Sequence, residues 1–173
     1  MELLFTLDPD VTDELREEIV ELWTDVSNAG GAVGFVPPVD REDVRPTAEA
    51  SLAGLADGAD RLLVGRDEAG RLVAMVFFTG KRFVLQEHWC TIKRLMVRPD
   101  RQGGGLGRRL MAEVDRQGRA LGYEALHLTL RGGLGLEVFY ARCGWKEVGR
   151  LPGALRVAPG DDRDEVHMWR SLL

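Results

Sequence analysis

Ten residues, "RQGGGLGRRL" at 101–110, hold four glycines and three arginines. They follow an apolar run and lead into a helical pattern. Glycine lets the backbone come close to an anion, and the first-turn N–H groups of a helix have no intrahelical acceptor. Aligned peptide dipoles leave about half a positive charge at that end, which suits a pyrophosphate. Lys93, Arg94, Arg98, Arg101, Arg108 and Arg109 add a basic patch. The plain alternative is a flexible glycine-rich turn beside a solvated arginine face, and the glycines alone do not separate the two.

Two nucleotide loops drop out. Walker A ends in Gly-Lys-Ser/Thr, whereas Gly107 is followed by Arg108 and Arg109, with neither the lysine nor the magnesium-holding hydroxyl. The dinucleotide fingerprint Gly-x-Gly-x-x-Gly fails as well, because its third glycine falls on Arg108 or on Leu110. Metal chemistry is not signalled. Cys90, Cys143, His88, His127 and His167 are dispersed without ligand spacing. His127 and His167 read as core or rim residues of strands, and both cysteines as small buried hydrophobes.

The elements that must position this loop are legible from periodicity. "ELLFTLD" (2–8) reads as a strand. A helix follows from an N-cap at Thr12, with Leu15, Ile19, Val20 and Leu22–Trp23 on one face, and stops near "NAGG" (28–31). An apolar connector broken by Pro37 and Pro38 leads to a second helix, about Arg41 to Leu55. "RLLVGRDEAGRLVAMVFFTG" (61–80) is a hairpin, and "EHWCTIKRLMV" (87–97) a strand stopped by Pro99. After the glycines come a helix to Leu121, a strand at 124–130 and a short helix closed by Gly144. Strands at 145–151 and 164–172 close the chain, separated by a Pro/Gly/Asp-rich loop at 152–163. The fold class is α/β, a mixed sheet flanked by helices, in one domain spanning 1–173.

Composition narrows the function. The chain has 173 residues, 45% of them apolar, and a net charge of −5, which argues against a general nucleic-acid binder. No apolar run approaches the roughly 20 residues that cross a bilayer, and the acidic start does not resemble an export signal. A cytoplasmic protein with free thiols is the expectation, with no nucleic-acid or membrane partner.

Three blocks now combine. Gln102-Gly103-Gly104-Gly105-Leu106-Gly107 matches Gln/Arg-x-x-Gly-x-Gly/Ala. "KRLMVRPD" before it resembles a Leu-x-Val-x-Pro strand. "VFYARCGW" (138–145) resembles Tyr-x-x-x-Gly-Phe, with Trp145 in place of Phe. Together they resemble the GCN5-related N-acetyltransferases over about residues 61–150. The resemblance implies that fold, with acetyl-CoA as co-substrate between two splayed parallel strands. It implies that the main chain at Met96 and Val97 pairs with the pantetheine arm, and that N–H groups of Gln102, Gly103, Gly104, Gly105, Leu106, Gly107 and Arg108 hold the pyrophosphate.

Acyl transfer to an amine needs a neutral nucleophile and a proton for the departing thiolate. Tyr140 falls where the family often keeps a general acid, and a phenol suits that role. The family's carboxylate base aligns with Thr91, a departure, so His88 or Glu87 upstream are the candidate bases, on opposite faces of the strand. The connector 28–40, with Phe35, is expected to shape an apolar-lined acceptor pocket for a small-molecule amine. Acidic residues near its mouth could attract a cation. A homodimer is common among relatives, though no stripe here requires one. The competing reading is a non-catalytic, regulatory CoA-binding module of the same fold.

Overall fold

Seven successive residues of Leu72–Thr79 are apolar and buried, the mark of a strand covered on both faces. In the computed structural model, which describes residues 3–173, this strand is β3. The elements are β1 (Leu4–Leu7), α1 (Asp13–Asn28), α2 (Arg41–Ala53), β2 (Asp60–Arg66), β3, β4 (Trp89–Val97), α3 (Leu106–Ala120), β5 (Ala125–Arg131), α4 (Leu136–Arg142), β6 (Lys146–Ala158) and β7 (Asp161–Ser171). Their order is the one the periodicity anticipates. The Glu2 end of the expected first strand lies outside the described residues.

The strands form one mixed sheet in the order β1-β2-β3-β4-β5-β7-β6. On one face Leu62, Val64, Met75 and Phe77 pack under Ile19, Trp23 and Val44 of α1 and α2. On the other, Val76, Phe78, Ile92 and Leu128 pack against Leu110 and Val114 of α3 and Tyr140 of α4. No helix of the described residues is long and apolar enough to cross a membrane.

Two irregularities shape the centre. β4 and β5 run parallel but pair only at Trp89↔Ala125, Cys90↔Leu126 and Thr91↔His127. Beyond Thr91 the strands separate. Between β3 and β4 the register shifts, with Phe77 opposite Lys93 and Met75 opposite Met96, so Arg94 and Leu95 face Val76 alone. Arg94 sits at φ +54°, a left-handed value that costs a non-glycine residue about 1–2 kcal/mol. Such a bulge bends its strand, and here it turns β4 away from β5.

Two boundaries differ from the sequence reading. β4 begins at Trp89, not at residue 87, so Glu87 and His88 occupy the preceding turn and the opposite-faces argument lapses. The stretch 152–163 is not a loop. β6 and β7 continue through it to a two-residue turn, Pro159–Gly160, where Gly160 takes φ +78°. β6 is an edge strand, and an edge tolerates Pro152 because the missing N–H breaks no interior ladder.

The connector between α1 and α2 is held at three points. The Asn28 side-chain amide donates to Val39 O (2.8 Å) and accepts from Val39 N (3.0 Å), closing the neck. Trp23 Nε1 and Arg94 Nη1 both donate to Val33 O. Asp40 and Asp43 form a reciprocal capping box that starts α2. Asn28→Ala should lower stability by about 1 kcal/mol and speed proteolytic cleavage within residues 29–38. Urea unfolding and limited digestion check this, and an unchanged cleavage rate would show that the neck does not restrain the connector.

Candidate active site

The separated strands open a cleft of about 1330 Å³ through the sheet. One end is lined by Gln102, Gly103, Gly105, Gly107 and Arg108, and by Phe139 and Tyr140 of α4. The middle runs between Thr91–Val97 of β4 and Leu128–Arg131 of β5. The far end lies beneath Gly30–Gly34 and Val36 of the connector, beside Ala154–Val157 of β6 and Glu165 of β7.

At the first end, Gly105 caps α3 in a left-handed conformation (φ +81°), and no side chain bonds to the cap. The first N–H groups of α3 are therefore left for an external acceptor. A Cβ added at Gly103, Gly104 or Gly105 would meet no protein atom within 4 Å, so the turn is open where an anion would approach. Gly107 answers a different need, because a Cβ there would lie 3.3 Å from the Phe139 ring. Leu106 is buried and anchors the helix start in the core. Gln102 Nε2 donates to Val97 O (3.1 Å), fastening the turn to the last residue of β4.

The basic patch divides on inspection. Arg98 pairs with Asp25 (2.9 Å) and Arg101 with Asp67 (2.9 Å), so both brace the turn rather than face the cleft. Arg108 lines it. Toward the far end Lys93, Arg94 and Arg131 also line it, whereas Arg156 is held by Asp162. Arg94 lies over the Trp23 ring, 5.1 Å from its centroid. Glu165 is the one carboxylate lining the cleft among the described residues.

Tyr140 stands in α4 with its ring edge-on to Phe139 and Trp145. Burial, with a smaller effect of the Cys143 thiol, pushes its phenol up to about 12, so it stays protonated through the neutral range. The Cys90 thiol is fully buried and pushed up to about 12 by that burial. Burial raises Cys143 as well. Neither offers a thiolate near neutrality.

Other expected residues fall elsewhere. Glu87 and His88 are exposed in the turn before β4 and do not line the cleft, so the structure does not bring them to Tyr140. Phe35 packs edge-on against Trp23, 6.2 Å between centroids, and Val33 and Val36 present the connector to the cleft instead. The pocket is not apolar throughout, nor acidic at its mouth, because its far floor carries the three cations above. Among the described residues there is no group of three or more His, Cys, Asp or Glu arranged to hold a metal ion.

A further cluster escaped the sequence reading. Thr91 accepts a hydrogen bond from Lys81 Nζ (2.7 Å) and lies 3.3 Å from His127 Nδ1. His127 Nε2 lies 3.1 Å from His167 Nδ1, and His167 Nε2 lies 3.4 Å from Glu165 Oε1. In sequence the two histidines are isolated strand residues forty positions apart. Only the β5–β7 register, with Thr129 opposite His167 and His127 opposite Trp169, makes them neighbours.

The profile of the Acetyltransferase (GNAT) family matches residues 13–145, spanning both helices over the connector, the splayed strands, the glycine turn and Tyr140. The chain belongs to the GNAT acetyltransferase family. Its fold recurs across solved members. A structure assigned as a phosphinothricin N-acetyltransferase is 20% identical and superposes with a TM-score of 0.82 over 99% of each chain. A ribosomal-protein-alanine N-acetyltransferase from Brucella melitensis is 22% identical, with a TM-score of 0.74 over 97% of this chain and 99% of its own. An acetyltransferase from Salmonella typhimurium, crystallised with its cofactor acetyl-CoA, is 16% identical, with a TM-score of 0.75 over 100% of this chain and 95% of its own. The first two of these structures carry different acceptors in their names, so the shared fold does not choose the acceptor.

The half-buried His127 has a consequence for stability. Burial, then His167 and Lys81, pull the His127 imidazole from 6.5 down to about 4. Between those values the unfolded chain binds a proton that the folded chain refuses, so folding weakens as pH falls through this window. Chemical unfolding at pH 7 and pH 5 should show that loss, and His127→Gln should flatten it. An equal slope in the variant would assign the loss to other groups.

Proposed function

We propose that the protein is an acetyl-CoA-dependent N-acetyltransferase that moves the acetyl group directly to the primary amine of a small molecule within a ternary complex. The observation that carries this reading is the splay of β4 from β5. It joins an uncapped, glycine-lined helix start on one side of the sheet to a polar pocket on the other.

The residues present fit coenzyme A. N–H groups from Gln102 to Arg108 would hold the pyrophosphate at the open turn, with the Arg108 side chain beside them. The edge of β4 that faces β5 has no strand partner from Ile92 to Val97, so the Val97 N–H would be left for an amide of the pantetheine arm. Val97 O, by contrast, is held by Gln102, and Met96 turns its main chain to Met75 of β3. The thioester would then lie where the strands part, in the cleft that Tyr140 lines. As the acceptor nitrogen attacks the carbonyl, the C–S bond breaks, and the Tyr140 hydroxyl donates a proton to the sulfur. Both thiols are held in the protonated form, which favours direct transfer over an acyl-cysteine intermediate.

Lys93, Arg94 and Arg131 at the acceptor end favour an amine that also bears an acidic group. A polycation would meet like charge there, countered by Glu165 alone among the lining residues. In a panel of amino acids, acidic peptides, aminoglycosides and polyamines, carboxylate-bearing amines should show kcat/KM at least about tenfold above polyamines, the equivalent of one favourable contact of about 1.4 kcal/mol. A preference for polyamines would remove this assignment. Turnover of nothing in the panel, with acetyl-CoA still bound in titration calorimetry, would leave a coenzyme A-binding module.

Tyr140→Phe tests the acid. Turnover should fall by about 100-fold with acetyl-CoA affinity unchanged. Wild-type kcat in that variant would take Tyr140 out of the chemistry.

A further inference from the structure

An acceptor amine reaches the cleft as an ammonium, and β4 offers it no carboxylate where the strands part. Thr91 stands there, and it is the first of four polar side chains that follow one another at 3.4 Å or less. Thr91 Oγ1 is 3.3 Å from His127 Nδ1, His127 Nε2 is 3.1 Å from His167 Nδ1, and His167 Nε2 is 3.4 Å from Glu165 Oε1. Thr91 and Glu165 both line the cleft, so the sequence of groups starts and ends on it.

One arrangement of protons, with neutral imidazoles, gives every contact in the series a donor and an acceptor. Lys81 Nζ, 2.7 Å from Thr91 Oγ1, is an ammonium and can only donate. In this arrangement the Thr91 hydroxyl turns its own hydrogen to His127 Nδ1. His127 then carries its proton on Nε2 and donates to His167 Nδ1. His167 in turn carries its proton on Nε2, 3.4 Å from the Glu165 carboxylate, which can only accept. The two imidazoles lie stacked with centroids 5.3 Å apart. Trp89 stands edge-on to His127 and also to Trp169, sheltering this part of the sheet face. Lys81 is itself fixed over the Trp89 ring, 4.0 Å from its centroid.

We propose that Thr91, His127, His167 and Glu165 form a proton wire that takes the proton from the acceptor ammonium, in place of a carboxylate on β4. The inference rests on the N-acetyltransferase reading above. In the step, the ammonium N–H bond breaks toward Thr91 Oγ1 and frees the nitrogen lone pair for attack. The Thr91 proton moves to His127 Nδ1, the His127 Nε2 proton to His167 Nδ1, and the His167 Nε2 proton to Glu165. No oxidation or reduction occurs, and one proton enters and leaves each relay group. Glu165 and His167 are 28% and 29% exposed, so the proton passes to solvent and the tautomers reset there. Thr91 is the member that meets the substrate, and the histidines act through it.

The charged surroundings agree with a neutral relay. Lys81 faces His127 across Thr91, Lys93 lies further along β4, His167 and Glu165 face it from β7, and Arg131 lies beyond Thr129 on β5 opposite Glu165. Burial and the nearby Lys81 and His167 keep His127 uncharged at neutral pH, free at Nδ1 to receive a proton.

His127→Gln and Thr91→Val, assayed with acetyl-CoA and the best acceptor of the panel, read the wire through the pH dependence of kcat. At pH 7 each variant should lose about 100-fold in kcat, the size of a general-base contribution, with the acetyl-CoA KM unchanged. Activity should return toward wild type as pH rises to the amine's own pKa, where solvent removes the proton. A loss of equal size at every pH would mean a merely structural role and overturn the wire, as would wild-type kcat at pH 7. Nitrogen-15 NMR of the wild-type protein gives a readout independent of turnover. Neutral His127 and His167, each with the proton on Nε2, support the wire, and a proton on His127 Nδ1 refutes it. Wild-type protein that acetylates no amine would overturn the N-acetyltransferase reading and the wire's role together. That outcome is seen before any substitution is made, so it is distinct from failure of the wire alone.

Discussion

Everything at the centre of this protein follows from a hydrogen-bond ladder that stops early. β4 and β5 pair for three residues and then part. Unpaired main-chain groups inside a protein are costly, and nearly all find partners. Here the released edge of β4 is neither closed by another strand nor buried under a helix. It lines a cleft, and Val97 O at its end is taken by the Gln102 side chain. The bulge at Arg94 supplies the bend that keeps the strands apart, at the cost of a left-handed residue. A backbone held in this state is ready to pair with an extended amide-bearing ligand.

The splay also divides the cleft into two electrostatic regions. On one side the start of α3 offers amide donors and a helix dipole, with Arg98 and Arg101 engaged by Asp25 and Asp67 beside the turn. On the other side Lys93, Arg94 and Arg131 line the floor with no carboxylate bonded to their side chains among the pairs the structure shows. The connector that roofs this side hangs from one carbonyl, Val33 O, which receives Trp23 and Arg94 together. Arg94 thus links bulge, roof and pocket charge. A change at that position would disturb all three, because the same guanidinium serves each.

The local elements were legible because each rests on short-range physics. Apolar spacing at three and four residues, an N-cap at Thr12, the DEAG hairpin turn and Gly144 after α4 all act within a few residues. The glycine turn and Tyr140 could be marked for the same reason, since both sit in contiguous motifs. Where the reading went wrong, the missing information was long-range. The stretch 152–163 has loop composition, but an edge position against β7 lets it remain a strand. Residues 87 and 88 have strand-like neighbours, but pairing with β5 starts only at Trp89.

The sequence by itself determined the order of elements, the anion-suited turn and the family to which the chain belongs, because these are written in adjacent residues. Only the tertiary structure decided which side chains share a site. Strand alternation says that His127 and His167 each choose one of two faces. It takes the register of β5 against β7, fixed by cores on both sides of the sheet, to place them 3.1 Å apart and between Thr91 and Glu165. Phe35 likewise has the composition of a pocket residue, yet packing against Trp23 turns it into the core of the connector. Register and packing are cooperative properties of the whole sheet, and a local pattern carries no record of them.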